Sequence, residues 1–247
     1  MSSTFRQRFK QQEKERQNEV QTIIRPNYAF HPNYGIQLDC PSYFNDRGRY
    51  YSIPGGNRYP SVTTVLSGTK SESSKKALDA WAERLGGPEA AEKEKKRAAD
   101  RGTTLHNLIE SFFKGENLNY GENPLFRQIY PNLKRINNIH LFESALYSHK
   151  LKIAGRVDCI AEFDNTLSII DFKGSTKDKE SHYIQDYYIQ ETAYAIMYSE
   201  LYNLKVKQIV TLVAVENSNN GQVFIEKPIN FVDKLVDRIN TYYGQTI

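Results

Sequence analysis

Residues 155–175 read GRVDCIAEFDNTLSIIDFKGS, two short apolar runs separated by turn residues. The apolar runs predict two strands of a buried β-hairpin. Asp158 stands at the edge of the first strand, and Asp171 and Lys173 flank Phe172 at the end of the second. Because residues two apart point to the same face of a strand, we expect Asp171 and Lys173 to project together while Phe172 enters the core.

The two acids are expected to lie roughly opposite each other if the hairpin turns near Asn165. Two carboxylates held close together repel unless a cation lies between them. Oxygen ligands with water suit Mg²⁺ or Mn²⁺ and not a dedicated zinc cage. The alternative is an ordinary hairpin with exposed ends, where acids and lysines are common. The joint spacing of Asp158, Asp171 and Lys173 favours the functional interpretation.

The bulk composition fits a globular protein with one large domain, or a domain with an extension. The chain has 247 residues, 39% of them hydrophobic, and a formal net charge of +4, which permits a polyanionic partner without requiring one. The 17 tyrosines suit a surface that stacks on bases, or half-buried positions. Cys40 and Cys159 are expected to be free thiols. The first 19 residues lack the apolar segment of a secretory signal, so we expect a soluble, intracellular protein.

The order of predicted elements indicates an α/β core with a mixed sheet. Residues 1–25 are expected to form a polar helix or arm, and residues 26–60 an irregular wrap ending in a hairpin. Helices are predicted at 61–69, 73–86, 88–114, 124–137, 181–204 and 231–243, and strands at 140–149, 152–163, 167–172, 208–215 and 223–226. Ser61 or Thr63 would cap the first helix, at an end where a phosphate can also sit.

Four segments, in the order in which they occur along the chain, resemble motifs of the PD-(D/E)XK nuclease superfamily, in particular of its RecB-like exonuclease branch. GRVD stands at the place of the "PD" motif, with the valine that is usual in that branch, and DFK at the place of (D/E)XK. RGTTLHNLIE, residues 101–110, resembles the Gly-x-x-x-His-x-x-x-Glu helix, and QETAY, residues 190–194, the Gln-x-x-x-Tyr motif. YPSVTTVL and Trp81-x-x-Arg84 are similar to segments of phage-encoded members and of mitochondrial genome-maintenance exonucleases.

The resemblance, over roughly residues 58–216, implies a restriction-endonuclease-like αβββαβ fold with a mixed central sheet flanked by helices. It divides the chain into a helical or irregular N-terminal extension, residues 1–57, and a nuclease domain, residues 58–247. It implies metal ligation by His106, Asp158, Asp171 and the Phe172 carbonyl. Lys173 would position or deprotonate the attacking water.

Other residues take part by the same resemblance. Glu110 would orient groups near the metal, and Gln190, with Tyr194, would hold DNA or the attacking water. Candidate nucleic-acid contacts are Ser61, Thr63, Arg84, Arg101, Lys177, Gln190 and Tyr194. Glu143 either faces the same metal or is a surface acid. The remaining histidines, His31, His140, His149 and His182, are expected at the surface.

The function implied is a Mg²⁺- or Mn²⁺-dependent DNA exonuclease acting on single strands with free ends. Its setting would be DNA replication, repair or recombination, or phage DNA metabolism, in the cytoplasm (that of the host for a phage-encoded chain). Replication or recombination proteins are possible partners. Two alternatives stay open: a structure-selective or restriction-type endonuclease on the same core, and a non-catalytic DNA-binding recombination module.

Overall fold

The computed structural model describes residues 23–216, 218 and 220–244, so most of the predicted polar arm lies outside the described residues. The strands are β1 (Ser42–Asn45), β2 (Gly48–Ser52), β3 (Arg58–Pro60), β4 (Ile136–Ser148), β5 (Ile153–Phe163), β6 (Thr166–Ser175), β7 (Gln208–Val215) and β8 (Gln222–Glu226). The α-helices are α1 (Val62–Gly68), α2 (Glu72–Arg84), α3 (Pro88–Lys114), α4 (Pro124–Leu133), α5 (Gln185–Tyr202) and α6 (Val232–Tyr243).

The predicted hairpin is formed by β5 and β6, which pair antiparallel up to Phe163 and Thr166. Asp164 and Asn165 connect them with φ angles of 49° and 61°. Two successive left-handed residues make the type of two-residue turn that matches the twist of the strands, and Asp and Asn tolerate that conformation best after glycine. The hairpin expected near Asn165 is confirmed.

The main sheet has the strand order β4-β5-β6-β7-β8. Only β6 and β7 pair in parallel; the other neighbours are antiparallel. A parallel pair requires a crossover, and α5 provides it between these two strands. The mixed α/β fold predicted from the order of elements is therefore confirmed.

Two apolar cores lie on the two faces of this sheet. One joins α5 and α6 to the sheet through side chains such as Tyr198, Leu235 and Ile169. The other joins α3 and α4 to it through side chains such as Ile109, Phe126 and Phe172. Lys114 ends α3 and Gly115 caps it in the left-handed conformation, as predicted. The central strand β6 thus lies between α3 on one face of the sheet and α5 on the other.

The segment before α1 is more ordered than the wrap that the sequence predicts. It contains the three-stranded sheet β1-β2-β3, and Tyr28 packs against Phe113 and donates a hydrogen bond from its hydroxyl to the Leu133 carbonyl at 3.0 Å. The predicted boundary between residues 57 and 58 falls between β2 and β3. The division into extension and nuclease domain stays a prediction.

Some predicted details are wrong. The helix predicted at 124–137 ends at Leu133, because the chain turns into β4 at Ile136. His140 is buried, not exposed: its Nδ1 lies 2.7 Å from the Tyr198 hydroxyl and its ring stacks on His31 at 3.8 Å. Cys40 and Cys159 are buried free thiols. Among the described residues, no helix combines the length and apolarity needed to cross a membrane.

Candidate metal centre and catalytic site

The site begins where the β5–β6 ladder ends. The last ladder pair is Cys159 with Ile170, so Asp158 and Asp171 are the next residues on the two strands. There the Asp158 carboxylate accepts the Phe172 N–H at 3.0 Å, in the place where a neighbouring strand's carbonyl would otherwise bind it. This hydrogen bond fixes the orientation of the carboxylate at the end of the hairpin.

His106 reaches the same point from the middle of α3. Its Nε2 lies 2.7 Å from the Phe172 carbonyl and 3.7 Å from Asp158 Oδ2, and its Nδ1 lies 3.3 Å from Glu143 Oε1. Ligand atoms of His106, Glu143 and Asp158 all lie within 4.8 Å of one another. One imidazole and two carboxylates thus converge in a set of donors that a divalent cation can use.

Glu143 joins the group through an unusual backbone. It lies on β4 between Phe142 and Ser144, which pair with β5 on either side of it, and its φ is 44°. A left-handed conformation costs a residue other than glycine on the order of 1–3 kcal/mol and is concentrated at functional sites. The sequence contained no spacing rule that distinguishes this glutamate from a surface acid.

The electrostatics of the group favour positive charge. Burial lowers the pKa of His106, but Asp158 and then Glu143 raise it, to about 9 overall. The imidazole therefore holds a proton at neutral pH, although the Lys173 cation opposes it. A cation bound to the two carboxylates would compete with that proton, since histidine ligates metals in its neutral form.

The buried Asp171 and the half-buried Lys173 form an ion pair beside this group. Asp171 is 2% exposed, and the Lys173 ammonium lies against its carboxylate and 5.2 Å from the centre of the Tyr187 ring. Burial raises the pKa of Asp171 to about 6, although Lys173 opposes the shift. Burial lowers the pKa of Lys173, but Asp171 and Asp158 together raise it above its ordinary value.

The grouped side chains therefore differ from the predicted ligand set. The Asp171 carboxylate pairs with Lys173 and is not among the acidic and imidazole side chains grouped within 4.8 Å. The Phe172 carbonyl is a backbone group that lies 2.7 Å from His106 Nε2. Glu143 takes the third place instead. Metal ligation by Asp171 and by the Phe172 carbonyl stays a prediction.

A second buried acid lies on α5. Glu191 is fully buried; one of its carboxylate oxygens accepts a hydrogen bond from the Thr211 hydroxyl, and Oε2 has no hydrogen-bond partner. Burial, and then the charge of Asp171, raise the pKa of Glu191 well above its usual range. Glu191 was not predicted as a site residue, because it occupies a position that the Gln-x-x-x-Tyr motif leaves unspecified.

Two of the predicted nucleic-acid contacts are buried, which is at odds with direct contact. Tyr194 is 2% exposed and its hydroxyl accepts a hydrogen bond from Gln190 Nε2 at 3.3 Å. Ser61 is 1% exposed and caps α1 by accepting the Thr64 N–H at 3.0 Å. Gln190 itself is half-buried and remains accessible.

The other predicted contacts are more open, and their roles stay predictions. Arg84 and Lys177 are exposed and Thr63 is half-buried. Arg101 is different, because its guanidinium is paired with Glu216 at 3.1 Å and its side chain is only 10% exposed. Glu110 lies one turn beyond His106 and is paired with Lys114 at 2.7 Å. The carboxylate of Glu110 is therefore near the group of His106, Glu143 and Asp158 without belonging to it.

A sequence profile described as the PD-(D/E)XK nuclease superfamily matches residues 122–240. This range contains Glu143, Asp158, Asp171 and Lys173 but not α3, which carries His106. The predicted resemblance to this superfamily is confirmed.

Three similar curated proteins bear the name mitochondrial genome maintenance exonuclease 1. The mouse protein is 31% identical over 131 residues, covering 50% of this chain and 39% of its own length. The human protein is 27% identical over 177 residues, covering 66% and 51%, and the Xenopus tropicalis protein 26% identical over 236 residues, covering 89% and 67%. The matches to the mouse and human proteins thus span about half of those proteins or less.

Proposed function

We propose that this chain, whose residues 122–240 belong to the PD-(D/E)XK nuclease superfamily, hydrolyses DNA phosphodiester bonds with the help of a divalent cation. The observation that carries the proposal is the convergence of His106, Glu143 and Asp158 within 4.8 Å beside the Lys173 ammonium. A set of acids and one imidazole binds a cation, and an ammonium next to it complements an anionic substrate.

The donor set suits a hard divalent cation, Mg²⁺ or Mn²⁺. Two carboxylates and one imidazole leave room for water and a phosphate oxygen, which is how Mg²⁺ is usually bound at phosphoryl sites. A bound cation of this kind would lower the pKa of a coordinated water and bind a phosphate oxygen. The raised pKa of His106 shows that the carboxylates already attract positive charge.

The chain's own residues hold the reacting groups. Asp158 is oriented by the Phe172 N–H, and Asp171 holds the Lys173 ammonium. Lys173 positions the attacking water and stabilises the charge that develops on the phosphate oxygens. In this proposal Gln190 and Glu110 orient the strand or the attacking water.

The substrate proposed is linear single-stranded DNA with a free end. The three relatives are named as exonucleases, which supports action from an end. Work in DNA replication, repair or recombination, or in phage DNA metabolism, belongs to the same proposal. A cytoplasmic location is also part of this proposal, although the three relatives are named as mitochondrial.

An endonuclease on the same core is the second candidate, and one assay separates the two. Linear single and double strands, labelled at either end, and a covalently closed circular single strand are incubated with the protein in Mg²⁺. If the protein is an exonuclease, the linear single strand should be degraded and the circle should stay intact. Cutting of the circle would assign an endonuclease, and binding without any cleavage would assign the non-catalytic module.

A further inference from the structure

A second cavity adjoins the metal centre and has no role in the mechanism above. The cleft at the metal group has a volume of about 450 Å³, and the neighbouring cavity about 310 Å³. Both are lined by Glu110, Glu143 and Arg156, so the two spaces share a wall. The smaller volume lies at the low end of the range of about 300–1,000 Å³ for small-ligand sites.

The outer wall of this cavity is a short segment held on the edge of β4. The Ile139 N–H donates to the Ala29 carbonyl at 2.9 Å, and the His31 N–H donates to the Ile139 carbonyl at 2.8 Å. The chain then turns, with the Tyr34 N–H donating to the His31 carbonyl at 2.8 Å. Gly35, at φ 85°, completes the turn, and Tyr34 and Gly35 both line the cavity.

The lining combines aromatic and cationic groups. Tyr34 and Phe142 provide aromatic surface in the lining. Tyr34 is half-buried, and its ring centre lies 4.4 Å from that of Phe30. The Arg156 guanidinium stands at the shared wall, where it donates to the Glu143 carbonyl at 3.0 Å. Lys114 is the second cation and is paired with Glu110. An aromatic surface and a guanidinium that line one cavity match a base joined to a phosphate.

We propose that this cavity receives one nucleobase of the DNA strand, stacked on Tyr34, while the phosphate that follows it passes Arg156 toward the metal centre. This inference rests on the proposed function, because the strand must lie with a phosphodiester at His106, Glu143 and Asp158. A base held in a separate cavity cannot stay paired with a complementary strand. The cavity therefore supplies a physical reason for preference for single strands, since a duplex would first have to give up a base pair.

The test is a scan with a single abasic site moved along a fluorescein-labelled oligothymidylate of about 12 nucleotides, a length in the range of single-strand binding sites. Affinity is measured by fluorescence anisotropy in EDTA, so that the strand stays intact. For the wild-type protein, the abasic site should weaken binding about 10-fold at one position, because the stacking of one base on the aromatic ring is lost there. Tyr34→Ala should remove that position-specific loss, and Tyr34→Phe should retain it.

Phe44→Ala is the matched control, because Phe44 is an aromatic residue 78% exposed on β1. This variant should keep the wild-type profile. A flat profile for the wild type, or a Tyr34→Ala profile that keeps the position-specific loss, would overturn the base pocket.

Cleavage of the intact strand in Mg²⁺ by the same preparations separates the two proposals. Cleavage together with a flat abasic profile would contradict the base pocket and support the nuclease function. A position-specific loss of affinity without cleavage would support the base pocket and contradict the nuclease function.

Discussion

Substitution of Lys173 can distinguish a role in binding the strand from a role in catalysis. The Lys173 ammonium is held by Asp171 and lies over the Tyr187 ring, outside the candidate metal-binding group of His106, Glu143 and Asp158. We expect Lys173→Ala to slow single-turnover cleavage of a short single strand by ~10²-fold or more, about 3 kcal/mol in the barrier, with little change in affinity. Lys205→Ala, at an exposed lysine that is not among the candidate nucleic-acid contacts, is the matched control and should cut at nearly the wild-type rate.

The same substitution leaves the Asp171 carboxyl buried without its cation. The pKa of Asp171 should then rise further, because burial remains and the opposing charge is gone, and thermal unfolding should shift to a lower temperature. If strand affinity collapses while the rate per bound strand stays normal, Lys173 is a phosphate anchor and its catalytic role is wrong.

At this scale the sequence predicts positions better than roles. The alternation of side chains along a strand was enough to pair Asp171 with Lys173 and to send Phe172 into the core. Glu143 could not be chosen over other acids, because its place in the group depends on a left-handed backbone that glutamate does not favour. The engagement of Asp171 by Lys173 depends on burial of the pair, which spacing alone does not report.

At the scale of elements, the contact of α5 with β5 depends on one glycine. A Cβ on Gly155 would lie 2.7 Å from Tyr194 Cε1, which is closer than real contacts allow. We expect Gly155→Ala to lower the free energy of unfolding by about 1–3 kcal/mol, because the buried tyrosine must move. Chemical denaturation measures this change.

Gly102→Ala is the control for that substitution. Gly102 lies inside α3, and a Cβ added to it would have no other atom within 4 Å beyond its own helix turn. Alanine there should therefore raise the free energy of unfolding by up to about 1 kcal/mol through helix propensity. An unchanged stability in Gly155→Ala would mean that Tyr194 does not pack on β5 as described.

The elements that the sequence predicted best have strong local signals. The Asp-Asn turn fixed the β5–β6 hairpin, the proline at the start and the glycine after the end bounded α3, and the apolar run of β7 was found at its observed limits. The three-stranded sheet was missed in part, because its strands are three to five residues long among turn residues. Its pairing comes from tertiary packing rather than from local pattern.

At the scale of the whole molecule, His140 connects the N-terminal segment to the core. Its ring lies between His31 and the Tyr198 hydroxyl. Burial, and then His31, lower the pKa of His140 from 6.5 to about 4, so the folded protein keeps this imidazole neutral where the unfolded chain would protonate it. Between pH 6.5 and 4 the unfolded state binds more protons, and stability is lost as the pH falls.

The expected loss from this one group over that interval is up to about 3 kcal/mol. Denaturation of wild type and His140→Gln at several pH values measures it, and the variant should lose less stability on acidification. His182→Gln, at an exposed histidine, should follow the wild type. Equal pH dependence in all three proteins would show that His140 is not held neutral by the fold.

The central claim is that a divalent cation held by His106, Glu143 and Asp158 makes this chain a nuclease. The most direct measurement is paired: calorimetric titration with Mn²⁺, and cleavage of a linear single strand in Mg²⁺ and in EDTA, for the wild type, Asp158→Asn, Glu143→Gln and the exposed control Asp237→Asn. We predict that the wild type and Asp237→Asn bind Mn²⁺ and cut only with metal. Asp158→Asn and Glu143→Gln should lose metal affinity and cleavage together, because each removes an anionic ligand. Full cleavage in EDTA, or wild-type metal binding and cleavage in both ligand variants, would contradict the account.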